Sequence, residues 1–106
     1  MSESQSDFAQ LAEALRQFAA KRNWEKFHTP KNLAMAVAGE AGELVSEFQW
    51  LTSEESNPQA LSTEKLEAIG LEIADVQIYL IRLADVLGVS IPDLVRQKIA
   101  INEDRF

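Results

Sequence analysis

Two pairs of carboxylates set inside apolar helical runs constrain this chain more than any other feature. The first pair is Glu40 and Glu43, in Gly39-Glu40-Ala41-Gly42-Glu43-Leu44-Val45-Ser46-Glu47-Phe48-Gln49-Trp50. At about 100° per residue, Glu40, Glu43 and Glu47 fall on one stripe of a helix. Leu33, Met35, Val37, Ala41, Leu44, Val45 and Phe48 occupy most of the remaining surface. A helix that is apolar on several sides is usually buried. A buried carboxylate is costly unless it is paired or coordinates a metal. The second pair, Glu72 and Asp75, stands three apart in Leu71-Glu72-Ile73-Ala74-Asp75-Val76-Gln77-Ile78-Tyr79-Leu80. Residues three apart on a helix are side-chain neighbours. If the two helices run antiparallel, four carboxylates converge on one spot and call for cations.

The rest of the chain reads as helices around that centre. Residues 1–5 are polar and expected to fray. Ser4 or Ser6 can cap a first helix whose apolar positions are Phe8, Leu11, Ala12, Leu15, Phe18 and Ala19, ending about Lys21. Arg22 to Thr29 reads as a loop holding two aromatics and the sole histidine. Thr29-Pro30 is a strong helix start, a good N-cap followed by a residue with no N–H to lose. The second helix is expected to reach about Leu51. Gly39 and Gly42 inside it each cost roughly 1 kcal/mol against Ala, and close approach of a neighbouring helix is the expected compensation. Thr52 to Ala60 reads as a solvated connector. Ser62 or Thr63 caps a third helix that runs to Leu87 and stops at Gly88. Ser90, Pro92 and Asp93 open a fourth. No segment has strand periodicity, so the fold class is all-α, a four-helix bundle forming one domain over residues 1–106.

Helix three carries two apolar stripes. One comprises Leu66, Ile69, Ile73, Val76, Leu80, Leu83 and Leu87; the other comprises Leu71, Ile78 and Ile81. A monomer of this size covers one of them well, and leaving the second in water forgoes roughly 1.5–3 kcal/mol per side chain. The expectation is an obligate homo-oligomer, a C2 dimer or a tetramer built as a dimer of dimers.

Composition excludes several functions. A formal net charge of -7 argues against a nucleic-acid backbone as partner. With no cysteine there is neither a disulfide framework nor a thiolate metal site. The start Met1-Ser2-Glu3-Ser4 lacks the basic and apolar regions of a signal peptide, and no apolar run is long enough for a bilayer. The expected location is the cytoplasm, with no membrane partner.

An all-oxygen ligand set of Glu40, Glu43, Glu72 and Asp75 suits Mg²⁺, with Mn²⁺ as a substitute. A di-iron bundle expects E-x-x-H motifs, which are absent here. One acidic i, i+3 pair is commonplace on a solvated helix face. Two, each in an apolar run on a different helix, point to a metal centre. The natural substrate of such a centre is a polyphosphate, whose anhydride a metal can polarise. Glu40, Glu43 and Glu47 are the catalytic candidates. Glu47 shares the stripe and is a candidate water-activating base, and another ligand carboxylate can serve instead. Lys31, Lys98 and Arg105 are candidates for phosphate oxygens. Trp24, His28, Trp50 and Tyr79 can surround an aromatic base, and Asn32 can read its edge.

These motifs together resemble a known family. Glu40-x-x-Glu43 followed by Glu72-x-x-Asp75 resembles the motif of the all-α nucleoside triphosphate pyrophosphohydrolases of the MazG superfamily. Asn23-Trp24-Glu25-Lys26-Phe27-His28-Thr29-Pro30-Lys31-Asn32-Leu33, Phe48-Gln49-Trp50, Ile78-Tyr79-Leu80 and Lys98-x-x-x-Asn102-x-x-Arg105-Phe106 are similar to the single-domain dCTP pyrophosphatase branch. The resemblance covers about residues 8 to 106. One departure is Leu15, where animal members of the branch carry histidine. The resemblance implies Mg²⁺-dependent, house-cleaning cleavage of a (deoxy)nucleoside triphosphate, dCTP or a modified dCTP foremost, to monophosphate and pyrophosphate. It implies metal at Glu40, Glu43, Glu72 and Asp75. It also implies a nucleoside pocket of Trp24, His28, Asn32, Trp50 and Tyr79, and phosphates near Lys98, Asn102 and Arg105. A tetramer is the implied assembly. Two alternatives stand beside it: a dUTP or broad NTP pyrophosphohydrolase, and a non-catalytic acidic helical interaction module.

Overall fold

The computed structural model describes the backbone of residues 3–106 and side chains from Asp7 onward. Its four helices are α1 (Glu3–Lys21), α2 (Pro30–Ser46), α3 (Thr63–Leu87) and α4 (Ile91–Arg105), with short 3-10 turns at Glu25–Phe27 and Pro58–Ala60. No strand occurs among the described residues, in line with the all-α expectation. None of their helices is long and apolar enough to cross a membrane.

The helix boundaries follow local chemistry. The Thr29 hydroxyl accepts the Asn32 backbone N–H ahead of Pro30, Ser62 accepts that of Lys65, and Ser90 accepts that of Asp93. Each satisfies an N–H that has no partner inside the helix. Gly88 closes α3 in the left-handed region, at φ 72°, where a side chain would be strained.

Two boundaries differ from expectation. Helix α1 already includes Ser4 and Ser6, expected as its caps; residues 1 and 2 lie outside the described residues. Helix α2 stops at Ser46 rather than near Leu51. Beyond it the chain turns tightly, the Glu47 and Phe48 N–H groups donating to the Leu44 and Val45 carbonyls. Val45, Phe48 and Leu51 keep helical spacing, so apolar periodicity alone carries the pattern past the true end.

Helices α2 and α3 form the main interface. They are antiparallel: His28 meets Arg82, Glu40 meets Glu72 and Asp75, and Glu47 meets Lys65. Helix α1 packs on α3, and α4 packs on α1. The core is small. Among the described residues Ala19, Leu33, Ile69, Ile81 and Ala84 are the buried apolar ones, and Leu33 alone of these is large and wholly enclosed. Met35, Val45, Leu66, Leu71, Ile73 and Leu87 keep half or more of their surface exposed.

The exposed surface corrects two expectations. Helix α2 is not buried on all sides within one chain. On α3 the division is not between the two stripes, since Ile81 of the second is buried while Leu66, Ile73 and Leu87 of the first are exposed. Gly39 and Gly42 lie on the open side of α2, where an added Cβ would meet nothing within 4 Å. No helix of the same chain approaches them.

The single chain is also extended for its size. Its radius of gyration is 16.3 Å, against about 13 Å for a compact domain of this length. Its accessible surface is 7820 Å², against roughly 5,900 Å² for a folded monomer of equal mass.

Candidate active site

Helix α2 delivers Glu40 to the interface, and α3 delivers Glu72 and Asp75 from facing turns. Each of the three offers one carboxylate oxygen, and those oxygens lie within 4.8 Å of one another. All three side chains are half-buried. One oxygen of Glu72 is enclosed and has no hydrogen-bond partner. Burial, followed by the negative charges of Asp75, Glu43, Glu40 and Glu47, pushes the Glu72 pKa above the ordinary glutamate value. An enclosed, unpartnered carboxylate oxygen among like charges is a destabilising arrangement unless a cation joins it. A hard divalent ion fits: the donors are all oxygen, and one is already desolvated and unspent.

Glu43 lies on the exposed side of α2, outside the group of three, yet near enough for its charge to act on Glu72. Glu47 sits just beyond the end of α2 and accepts from Lys65 Nζ at 3.0 Å. That ion pair crosses to the first turns of α3 and fixes the Glu47 carboxylate beside the cluster.

A cavity of about 320 Å³ opens directly from the carboxylates. Helix α1 contributes Leu15, Phe18 and Ala19; the following loop contributes Trp24 and His28. Glu40 comes from α2, and Asp75, Ile78, Tyr79 and Arg82 from α3. Its volume is at the lower end of the range for small-molecule sites. The aromatic wall is ordered by mutual contacts: Phe18 meets Trp24 edge to face at 5.7 Å, and Trp24 lies 6.3 Å from the His28 ring. Arg22 stacks over Phe18 at 3.5 Å. Asn23 adopts a left-handed conformation, φ 58°, that reverses the chain after α1.

His28 is held from α3. The buried Arg82 donates Nε–H to His28 Nδ1 at 3.1 Å and Nη1–H to Asp85 at 3.2 Å. Arg16 of α1 closes the chain of contacts, donating to both Asp85 oxygens at 3.0 and 2.8 Å. Burial and then the Arg82 charge lower the His28 pKa. The Arg16 hydrogen bond and the charges of Arg16 and Arg82 hold Asp85 below the usual aspartate value against the opposing effect of burial.

Trp24, His28 and Tyr79 thus meet in one cavity with Glu40 and Asp75. The other expected contact residues stand apart from it. Asn32 donates its amide to the Phe27 carbonyl, bracing the loop. Lys31 is exposed at the start of α2. Trp50 is 86% exposed and does not line the cavity. Lys98, Asn102 and Arg105 lie on α4, and none reaches the cavity of its own chain. Phe18, Ile78 and Arg82 were not among the expected site residues, and Leu15 was marked only as a departure from the animal members. The available signal for Arg82 was a single cation interrupting Tyr79-Leu80-Ile81-Arg82-Leu83.

Residues 36–106 match the model of the MazG-like family. The chain is 46% identical over 90 residues to dCTP pyrophosphatase 1 of Homo sapiens, and 44% identical to that of Bos taurus; each alignment takes in 85% of this chain and 53% of the relative. It therefore spans about half the length of the curated relatives it matches. A crystal structure of a pyrophosphatase from Archaeoglobus fulgidus superposes with a TM-score of 0.84 at 38% identity, covering 92% of this chain and 90% of that one.

Proposed function

Because this chain belongs to the MazG-like family, we propose that it hydrolyses dCTP, or a base-modified dCTP, to dCMP and pyrophosphate in a Mg²⁺-dependent house-cleaning reaction. The observation that carries this reading is the continuity of an aromatic, base-sized cavity with the carboxylate group at Glu40 and Asp75. A base held by Trp24, His28 and Tyr79 extends its phosphates toward those carboxylates. Water adds across the α–β phosphoanhydride, one P–O bond forming as another breaks, and pyrophosphate leaves.

Glu40, Glu72 and Asp75 would hold Mg²⁺ in this reading, with Mn²⁺ as a substitute and Glu43 as a fourth candidate ligand. A bound ion would supply charge compensation for the phosphates and polarisation of the anhydride. Glu47, oriented by Lys65, is the proposed acceptor of the attacking water's proton, with Glu40 and Glu43 as alternatives. Trp24 and Tyr79 pack the base.

The assembly proposed is a homotetramer, a dimer of dimers. Its support is the uncovered apolar surface of α2 and α3, too large for a free monomer. An oligomer also accounts for Trp50, Lys98, Asn102 and Arg105, which a neighbouring subunit would present to the cavity and its phosphates. Lys31, exposed at the start of α2, remains the candidate from the same chain for a phosphate contact.

A panel of deoxynucleoside and ribonucleoside triphosphates with Mg²⁺, assayed for pyrophosphate, tests the reading. Preference for dCTP or a modified dCTP is expected. Preference for dUTP or equal use of all bases would replace the proposed substrate. No turnover by well-folded protein would favour a non-catalytic module.

A further inference from the structure

We propose that Arg82 is a positioning residue that fixes His28 as its Nε2–H tautomer, so that the cavity offers one ring N–H donor to an acceptor on its ligand. A guanidinium has only donors. The nitrogen that faces Arg82 Nε–H at 3.1 Å, Nδ1, must therefore present its lone pair. A neutral imidazole carries one N–H, and with Nδ1 accepting, that proton sits on Nε2. A cationic imidazole would set an N–H against the guanidinium, so the same contact also keeps the ring neutral.

The support behind Arg82 is continuous. It is 6% exposed, and a buried cation is tolerated when its charge is met and its donors are used. Asp85 meets the charge, and Arg16 holds Asp85 in place from α1 with two hydrogen bonds. Arg82 is thus locked on one side and left with Nε directed at His28. Both residues line the cavity that opens onto Glu40 and Asp75.

An N–H donor in an aromatic cavity selects ligands with a lone pair on the ring edge, such as a pyrimidine carbonyl oxygen or an unprotonated ring nitrogen. The identity of that acceptor rests on the proposed function; the tautomer does not. The sole histidine of the chain makes the tautomer directly observable, because ¹⁵N-labelled protein gives a single imidazole spin system.

The full chain is examined by ¹⁵N–¹H correlation without nucleotide, and by kinetics with dCTP. Nδ1 should show the shift of an unprotonated ring nitrogen and Nε2 that of a protonated one. Arg82→Met should mix the two tautomers and raise KM about tenfold, the worth of one hydrogen bond, while kcat stays within about twofold. Arg82→Lys, which keeps a donor, should recover most of the lost KM. In a His28→Phe background, Arg82→Met should change KM by less than about twofold, because its route to the ligand is gone. A proton found on Nδ1 of the native protein overturns the proposal, and that reading stands even if Arg82→Met does not fold. Equal KM effects of Arg82→Met with and without the imidazole also overturn it. Absence of dCTP turnover by the native protein counts against the proposed function alone, since the spectrum still decides the tautomer.

Discussion

Glu47 and Glu72 bring the same functional group to the same α2–α3 interface with different consequences. Glu47 has a resident cation, Lys65 Nζ, at 3.0 Å. Glu72 has an enclosed oxygen with no partner and a pKa raised by burial and by its acidic neighbours. Removing the charge at Glu72 therefore relieves the metal-free protein while disabling the centre. Glu72→Gln should melt at an equal or higher temperature without metal, and should lose the stabilisation that Mg²⁺ gives the native protein. Its turnover should fall by roughly 100-fold or more, since even indirect supports of metal sites cost up to that much. Differential scanning fluorimetry with and without Mg²⁺ reads the first two effects; a large metal-free loss of stability would mark Glu72 as a structural partner instead. Asp75→Asn should behave likewise. Glu40, Glu72 and Asp75 were legible as a group because helical spacing and an apolar context place them. The outward setting of Glu43 was not: three residues on, it stands about 60° round the helix from Glu40, and spacing alone does not say which of the two faces α3.

At the scale of elements, the caps at Thr29, Ser62 and Ser90 and the stop at Gly88 were readable, each being local chemistry confined to a few residues. The end of α2 and the role of Arg82 were not. Val45, Phe48 and Leu51 keep helical spacing past the end of α2, and Arg82 has its partner, His28, 54 positions away. The link between α1 and α3 is of the same kind, Arg16 and Arg82 sharing Asp85. Asp85 has a lowered pKa in the fold. Its contribution is complete above the ordinary aspartate value near 4 and is lost as pH falls through the depressed folded value. Denaturation of the native protein should therefore become easier on acidification below about pH 4, and Asp85→Asn should flatten that part of the profile. Urea melts across pH read this; identical slopes for both proteins would remove Asp85 from the account. The loop after α1 serves the ligand through its aromatic wall. Trp24→Ala should raise KM about tenfold with little change in Mg²⁺ dependence, and a loss confined to kcat would take Trp24 out of the cavity's binding role.

At the scale of the molecule, the sequence pointed to uncovered apolar surface, but assigned it to one stripe of α3. In the fold the exposed set spans α2 and α3, including Met35, Val45, Leu66 and Leu71, and the buried residues of these two helices are Leu33, Ile69, Ile81, Arg82 and Ala84. Ile78 also lines the cavity, so a charge placed there would confound assembly with binding. Leu66 is the cleaner probe: it is 54% exposed and outside the cavity. Leu66→Asp should shift sedimentation toward smaller species and lower activity in parallel, whereas a compact and fully active native monomer at micromolar concentration would refute the proposed assembly. The most direct measurement of the whole account is the product of dCTP turnover with Mg²⁺, followed by ³¹P NMR. Pyrophosphate and dCMP in equal amounts are expected from the native protein, with neither from Glu72→Gln. Inorganic phosphate and dCDP, or an unchanged triphosphate spectrum with folded native protein, would contradict it.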